Sequence, residues 1–283
     1  MSERSASRVS DQGRTAARVV VDKQHEIEAL GPWFHNLHLP DGEQTAPGHR
    51  FGDFPLFKWR HVAASVPENL EGWSVLDIGC NAGFYSIELA RRGAHVLGLD
   101  VEPLYLRQAQ WAARQFGLED RMKFVEGNVY QLLDCDRTFD LVWFTGVFYH
   151  LRYPTLALDL VRRATDKLMM FQCMTMPGAD SSEAQLNVPR DLPLDGREAL
   201  CEEAWPKMAF IEHRIAGDAT NWWAPDRACA EALLRSAGFQ IIAHPEHEFF
   251  LCTPNADPGH ADLGQVREVA RSDATIWTRE NRT

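Results

Sequence analysis

From Ser74 onward, short apolar, β-branched runs alternate with longer stretches in which apolar residues recur every three or four positions. The short runs predict strands at Val75–Ile78, His95–Leu99, Met122–Val125, Phe139–Phe144 and Leu168–Gln172. The longer stretches predict helices at Tyr85–Arg92, Leu104–Phe116 and Thr155–Thr165. Strand and helix in this rotation imply an α/β fold, a mostly parallel sheet covered on both faces and joined by right-handed crossovers. A further helix, Asp226–Ala237, stops at Gly238, a residue suited to a C-terminal cap. The runs QIIAH and EFFLC follow it, separated by Pro245, Glu246 and His247, and predict an antiparallel hairpin at the sheet edge.

Other segments lack this periodicity. Residues 1–23 are polar and rich in Ser and Arg, as a tail would be, and 254–283 form a polar, peripheral tail. Residues 24–60 mix aromatics with Pro and Gly, too broken for a long helix and too apolar for a free linker, so they predict a flap packed on the main domain. The main domain is expected at 61–253, with an insert at about 173–222 that is too long for a plain connection and suits a lid or substrate-binding element.

Composition narrows the picture. A chain of 283 residues with 45% hydrophobic content can bury a sizeable core. The formal net charge is -11, which disfavours nonspecific attraction to a nucleic-acid backbone, although a local basic patch remains compatible with it. The six cysteines contain no C-x-x-C pair, which fits buried thiols in a reducing cytoplasm. No apolar stretch has the length of a signal-peptide core or a membrane span, so a soluble, cytoplasmic protein is expected.

The candidate chemistry starts at VLDIGCNAGF, Val75–Phe84. A dinucleotide fingerprint beginning at Gly79 would need glycine where Asn81 and Phe84 stand, and no G-K-S or G-K-T loop is present. What remains is Asp77-x-Gly79-x-Asn81-x-Gly83, with glycines for close backbone approach and an asparagine that tolerates positive φ. Such a loop suits a nucleoside with an amino-acid tail. Asp100, at the carboxyl end of the next strand, is placed to accept both hydroxyls of a ribose.

These residues resemble the class I S-adenosylmethionine-dependent methyltransferases, whose fold is a Rossmann-like, seven-stranded sheet. The resemblance implies that Asp77, Gly79, Asn81 and Gly83 surround the methionine part of the donor and that Asp100 holds the ribose. It implies an adenine contact at Asn128, in place of the usual Asp, with Val101, Val129, Thr145 and Lys58 completing the donor site. The run GVFYHLRYP, Gly146–Pro154, with Phe57-Lys58-Trp59 and NWWAP at Asn221–Pro225, resembles the tRNA wobble-uridine carboxymethyltransferase group. The segments WFHNLHLPDG and EHRIAGDATNWW resemble a bacterial branch of that group. The donor implied is S-adenosylmethionine, with S-adenosylhomocysteine as product. Carboxy-S-adenosylmethionine is the alternative, since its extra anion would need a cation such as Lys58, Arg152 or Arg214.

Methyl transfer needs alignment, desolvation and, for some acceptors, a base. His150 and Tyr149 are the catalytic candidates; His150 reads either as base or as a residue bonding loop backbone, and Tyr149 either as packing on the donor or touching the acceptor. His35, His38, Arg152, His213, Trp222 and Trp223 are the expected substrate residues, with Glu212 and Asp218 further polar candidates in the insert. The pairs His35/His38, near Asp41, and His244/His247 lack an assured third ligand, so no metal is expected. Trp33, Phe34, Trp59, Trp222 and Trp223 read either as a stacking platform or as packing. The expected function is transfer of a methyl group to a small, metabolite or sugar-like acceptor by a monomer or homodimer. The alternatives are a tRNA wobble-uridine (carboxy)methyltransferase and a non-catalytic nucleoside-binding module.

Overall fold

The computed structural model describes residues 23–177, 192–202 and 205–255. The expected terminal tails, apart from Lys23, Pro254 and Asn255, and the middle of the insert lie outside these residues. The chain divides into two units, Met1–Pro32 and Trp33–Thr283, so the expected flap spans the boundary between them. In the first, helix α1 (Lys23–Ala29) ends in a turn closed by Leu30 N–H on Glu26 O at 3.1 Å.

The second unit contains α2 (Leu56–Val62), β1 (Ser74–Ile78), α3 (Phe84–Arg91), β2 (His95–Asp100), α4 (Pro103–Gln115), β3 (Met122–Glu126), β4 (Phe139–Thr145), α5 (Pro154–Ala164) and β5 (Thr165–Gln172). There follow β6 (Met208–Phe210), β7 (Trp223–Pro225), α6 (Arg227–Ser236), β8 (Phe239–Glu246) and β9 (Phe249–Pro254). Seven strands form one sheet in the order β3-β2-β1-β4-β5-β9-β8, parallel except for β9, which runs antiparallel to both neighbours. The pair β6–β7, from the end of the insert and the residues just after it, is a separate antiparallel sheet. This is the expected α/β architecture, with the order reversing between β1 and β4, where an open sheet offers a crevice at its carboxyl edge.

Two boundaries differ from expectation for local reasons. β5 starts at Thr165 rather than Leu168 because the strand's first turnless residues are polar: Asp166 and Lys167 are exposed at the rim, and Lys167 pairs with Asp140 at 2.7 Å. β8 continues through Pro245 and Glu246, leaving only His247 and Glu248 for the turn. A proline is tolerated there because β8 is an edge strand, and its ladder with β9 is interrupted on both sides of Ala243.

Adjacent residues of β4 face opposite sides of the sheet and anchor two different layers. Phe144 belongs to the core that α5 and α6 complete with Leu158, Val161 and Leu234. Trp143 faces the other way, with its ring 5.0 Å from Tyr85 of α3 and 5.7 Å from Trp59 of α2. Arg92 lies 4.7 Å over Trp59 and donates to the carbonyls of Ala63, Val66 and Pro67, tying the segment after α2 to the end of α3.

The Trp33–Phe54 stretch has no helix or strand, so its polar groups need other partners. Asn36, buried, provides most of them. Its side-chain amide donates to Gln44 Oε1 and Asp53 Oδ1, each at 2.9 Å, and its oxygen accepts Ala46 N–H at 2.9 Å. Thr45 Oγ1 adds a bridge, donating to His35 O and accepting Leu37 N–H, both at 2.8 Å. Asn36→Ala should strand these groups and lower stability by roughly 2–3 kcal/mol in urea denaturation. A loss below about 0.5 kcal/mol would show that the loop is held by its aromatics instead.

Candidate active site

The loop after β1 is shaped by positive φ at three alternating positions, Gly79 (72°), Asn81 (50°) and Gly83 (82°). Gly79 is required on two counts, since a Cβ there would also sit 2.3 Å from Val147 Cγ2. The amides of Gly79 and Cys80 both donate to Leu99 O, at 2.7 and 3.1 Å, and Asn81 N–H donates to Asp100 Oδ2 at 2.8 Å. The Asn81 side-chain oxygen turns back to accept Ala82 N–H at 2.7 Å. Strand ends β1 and β2 are thereby fused into one rim.

Asp77 and Asp100 stand differently in this rim. Asp77 is 1% exposed and accepts the Ser86 hydroxyl at 2.5 Å, so it braces the loop against α3. Burial pushes its carboxyl up to about 7, against the pull of Ser86. Asp100 accepts Asn81 N–H on Oδ2 and Glu102 N–H on Oδ1 (3.0 Å), with the Val101 amide a further backbone donor to the carboxylate, whose four lone pairs leave capacity beyond these three. Burial raises its pKa, opposed by these backbone donors. Beyond β2, Val101 is exposed, and beyond β3, Val129 is buried. Asn128 caps the turn 129–134: its Oδ1 accepts Tyr130 N–H at 3.0 Å while Gln131 Oε1 accepts Asn128 N–H at 3.0 Å.

Beside this rim, at the carboxyl ends of β1, β4 and β5, lies a cavity of about 440 Å³. Gly79, Thr145, Gly146 and Gln172 form its sheet side, and the Tyr149–His150 turn flanks it. Its other wall carries the rings of Phe34, Phe51, Phe54 and Phe57, with Lys58 and His35 as the polar members. Among the described residues Lys58, on α2, is the one Lys or Arg lining the cavity; its ammonium is 5.7 Å from the Phe54 ring and 5.9 Å from that of Phe249. Burial lowers its pKa, with Glu248 acting in the opposite sense. Glu248 accepts Gln172 Nε2 at 2.8 Å and Thr175 N–H at 2.9 Å.

The two catalytic candidates separate chemically. Burial, with Glu248 next, pushes the Tyr149 phenol up to about 12, so it can donate a hydrogen bond but not take a proton at neutral pH. His150, with its ring 4.3 Å from that of Tyr149, has its pKa lowered by burial, with Asp218 and Thr220 opposing, and is a neutral imidazole able to accept a proton. Its Nδ1 is 2.9 Å from Thr220 Oγ1 and 3.8 Å from Asp218 Oδ2. His35 is fully buried and pushed down to about 3 by burial and His49, and its Nδ1 has no hydrogen-bond partner.

The other expected substrate residues do not line this cavity. His38 bonds Asp53 at 2.7 Å, as its loop requires. Arg152 lies over Trp222 (4.7 Å) and Phe210 (5.2 Å), and Trp223 packs on Phe210 at 4.9 Å, so these aromatics join the insert to the turn beside His150. His213 is exposed. Trp59 packs in the core, and Trp33 lies 5.5 Å from Trp111. The reading missed Phe51, Phe54, Phe57, Tyr85, Gln172, Thr220 and Glu248; the three-residue spacing of Phe51, Phe54 and Phe57 was a usable signal. Among the described residues no group of three His, Cys, Asp or Glu is arranged to hold a metal ion, and no helix is long and apolar enough to cross a membrane.

Residues 75–167 match the family model described as a methyltransferase domain. The chain is 30% identical over 198 residues to a tRNA U34 carboxymethyltransferase of Pseudomonas fluorescens, covering 66% of this chain and 51% of that protein. To the protein of the same name from Shewanella halifaxensis it is 34% identical over 113 residues, 40% of this chain and 33% of that one. The matches thus span a third to a half of these relatives. The crystal structure of the N-terminal domain of EvdMO1 with SAH bound aligns over 83% of this chain and 98% of its own, at 22% identity and TM-score 0.57, which shows a shared fold.

One prediction concerns pH. The folded-state pKa of Asp77 is raised from 3.8 to about 7, so the folded chain binds the proton more tightly than the unfolded chain. Its contribution to stability is fully present below pH 3.8 and is lost as pH rises towards 7. Wild-type stability minus that of Asp77→Asn should therefore fall across this window; a flat difference would mean that Asp77 is ionised in the folded state.

Proposed function

Because residues 75–167 match a methyltransferase domain and lie in a seven-stranded, mostly parallel sheet, we propose that the chain transfers a methyl group from S-adenosylmethionine to a small-molecule acceptor held in the aromatic cavity. The carrying observation is the cavity itself. At about 440 Å³ it falls within the range of small-ligand sites, and it begins at Gly79, expected beside the methionine part of the donor, and at Thr145, expected to complete the donor site. In this reading Asp100 uses its spare lone pairs on the ribose hydroxyls, and Gly79, Asn81 and Gly83 let the backbone approach the donor. Val101 and Asn128 lie towards the adenine side, with Val129 supporting the Asn128 turn.

The donor supplies an activated methyl group. The residues of this chain therefore orient the acceptor, exclude water and receive its proton. The aromatic wall does the first two, and neutral His150 does the third. His35 is a neutral member of the cavity wall, which suits an uncharged molecule better than a charged one at that end.

One observation favours a second reading. Lys58 puts a cation in the cavity wall, where the extra carboxylate of carboxy-S-adenosylmethionine would find a counter-charge, and the curated relatives are named as tRNA U34 carboxymethyltransferases. The formal net charge of -11 and the modest cavity weigh towards a small acceptor.

The test is incubation with methyl-labelled S-adenosylmethionine and, separately, labelled carboxy-S-adenosylmethionine, with cell extract split into RNA and small-molecule fractions. Methyl label in the small-molecule fraction is expected. Label in RNA would replace the proposal with the second reading, and label in neither would leave a nucleoside-binding module. Asp100→Ala should abolish S-adenosylhomocysteine binding in calorimetry. His150→Ala should keep that binding and lose roughly 100-fold or more in turnover; unchanged turnover would remove the base assignment.

A further inference from the structure

We propose that Thr220 and Asp218, in the insert, are positioning residues that fix His150 in its Nδ1–H tautomer and so leave Nε2 as the proton acceptor at the cavity. The catalytic half of this inference rests on the methyltransferase reading; the structural half does not.

Hydrogen counting carries it. Asp218 Oδ1 lies 2.7 Å from both Thr220 N and Thr220 Oγ1. These bonds and the neighbouring His150 hold the Asp218 carboxyl below the usual carboxylate range, although partial burial opposes them, so Asp218 is ionised and can only accept. The single hydroxyl hydrogen of Thr220 must then point at Asp218. With that hydrogen used, Thr220 Oγ1 can only accept across its 2.9 Å contact with His150 Nδ1, so Nδ1 carries the proton. The nitrogen that remains, Nε2, has the lone pair.

The local backbone makes the arrangement rigid. Ile215 and Asp218 exchange backbone hydrogen bonds at 3.1 and 2.9 Å, and the two residues between them, Ala216 (φ 52°) and Gly217 (φ 83°), form a tight turn with positive φ at both positions. Asn221 Nδ2 reaches the carbonyls of Ile215 and Asp218, at 3.3 and 3.5 Å. Trp222 N–H donates to Tyr149 O at 2.7 Å, which locks the segment to the residue preceding His150. Other titratable groups around the cavity are Tyr149 on the same turn, Lys58 and His35 across it, Tyr85 on α3, and Glu248 in the β8–β9 turn. The charge that acts on His150 is that of Asp218, which raises its pKa.

In the transfer step, the acceptor's X–H proton passes to Nε2 while X bonds to the methyl carbon and the sulfur–methyl bond breaks. The donor sulfur becomes neutral, and its positive charge ends on the imidazole, 3.8 Å from the Asp218 carboxylate. Asp218 therefore stabilises the charge that appears during reaction rather than one present beforehand.

The test is NMR of the full chain with 15N-labelled histidine, the His150 signals being identified by their loss in His150→Gln. The Nδ1–H tautomer is expected above the His150 pKa, and Asp218→Asn should lower that pKa by about half a unit or more. Thr220→Val should release the tautomer to a mixture, and Thr220→Ser should preserve it. In turnover, the acidic limb of the kcat profile should move down with the pKa in Asp218→Asn, with the donor KM unchanged. An Nε2–H tautomer in the wild-type chain, readable even if a variant fails to fold, would overturn the proposal, as would a pKa that Asp218→Asn does not move. The Nδ1–H tautomer with an Asp218-dependent pKa, in a chain that transfers no methyl group, would support the positioning network and sink the methyltransferase reading. The opposite tautomer in an active chain would sink the network alone.

Discussion

A single carbonyl, that of Leu99, accepts two successive amides from the loop after β1, and the next side chain, Asp100, accepts a third. Amides of Gly79, Cys80 and Asn81 that would otherwise be loose at a strand end are spent on the neighbouring strand. The loop is held against β2, its positive φ angles follow from that path, and the Asp100 carboxylate is fixed at the rim with capacity to spare. Gly79 must lack a side chain because Val147, from the loop after β4, closes over it. The crevice at the point where the strand order reverses is thus assembled from main-chain bonds before any ligand is considered.

Around that rim the protein divides its work by element. The sheet supplies the donor-side backbone, α2 and the loop before it supply an apolar wall with Lys58 in it, and the insert supplies the partners of His150. Residues adjacent in sequence go to opposite duties. Lys58 turns to the cavity while Trp59 packs on Trp143, and Tyr149 keeps its proton while His150 can take one.

The sheet was legible because buried parallel strands are nearly continuous apolar runs, and the loop because positive φ leaves few residue choices. Asn81 follows from this: its place among glycines marked the conformation it adopts. The acceptor side was far less legible. Its aromatic wall comes mostly from a segment without helix or strand, so the three-residue spacing of Phe51, Phe54 and Phe57 did not say which way the rings would face. Thr220 lies 70 residues from the histidine it bonds, and Glu248 lies 76 residues from Gln172, in a hairpin turn whose residues carry no chemical signature. Arg152, Trp222 and Trp223 were read as substrate contacts from their type and position, but an arginine between aromatic faces satisfies packing equally well, and there they pack. Proline misled at β8, where a residue that normally marks a turn sits inside what is, among the described residues, an edge strand.

That outer strand also carries features that bear on sheet-to-sheet pairing between molecules. An unpaired edge of a seven-stranded sheet is a template on which another chain could continue the ladder. On β8, Pro245 withholds an amide, the irregularities around Ala243 break the regular rise of donors and acceptors, and Glu246 is engaged by His61 from α2 at 3.3 Å. The same departures from regular strand geometry that obscured β8 in the sequence make this border a poor template for a shared, intermolecular sheet.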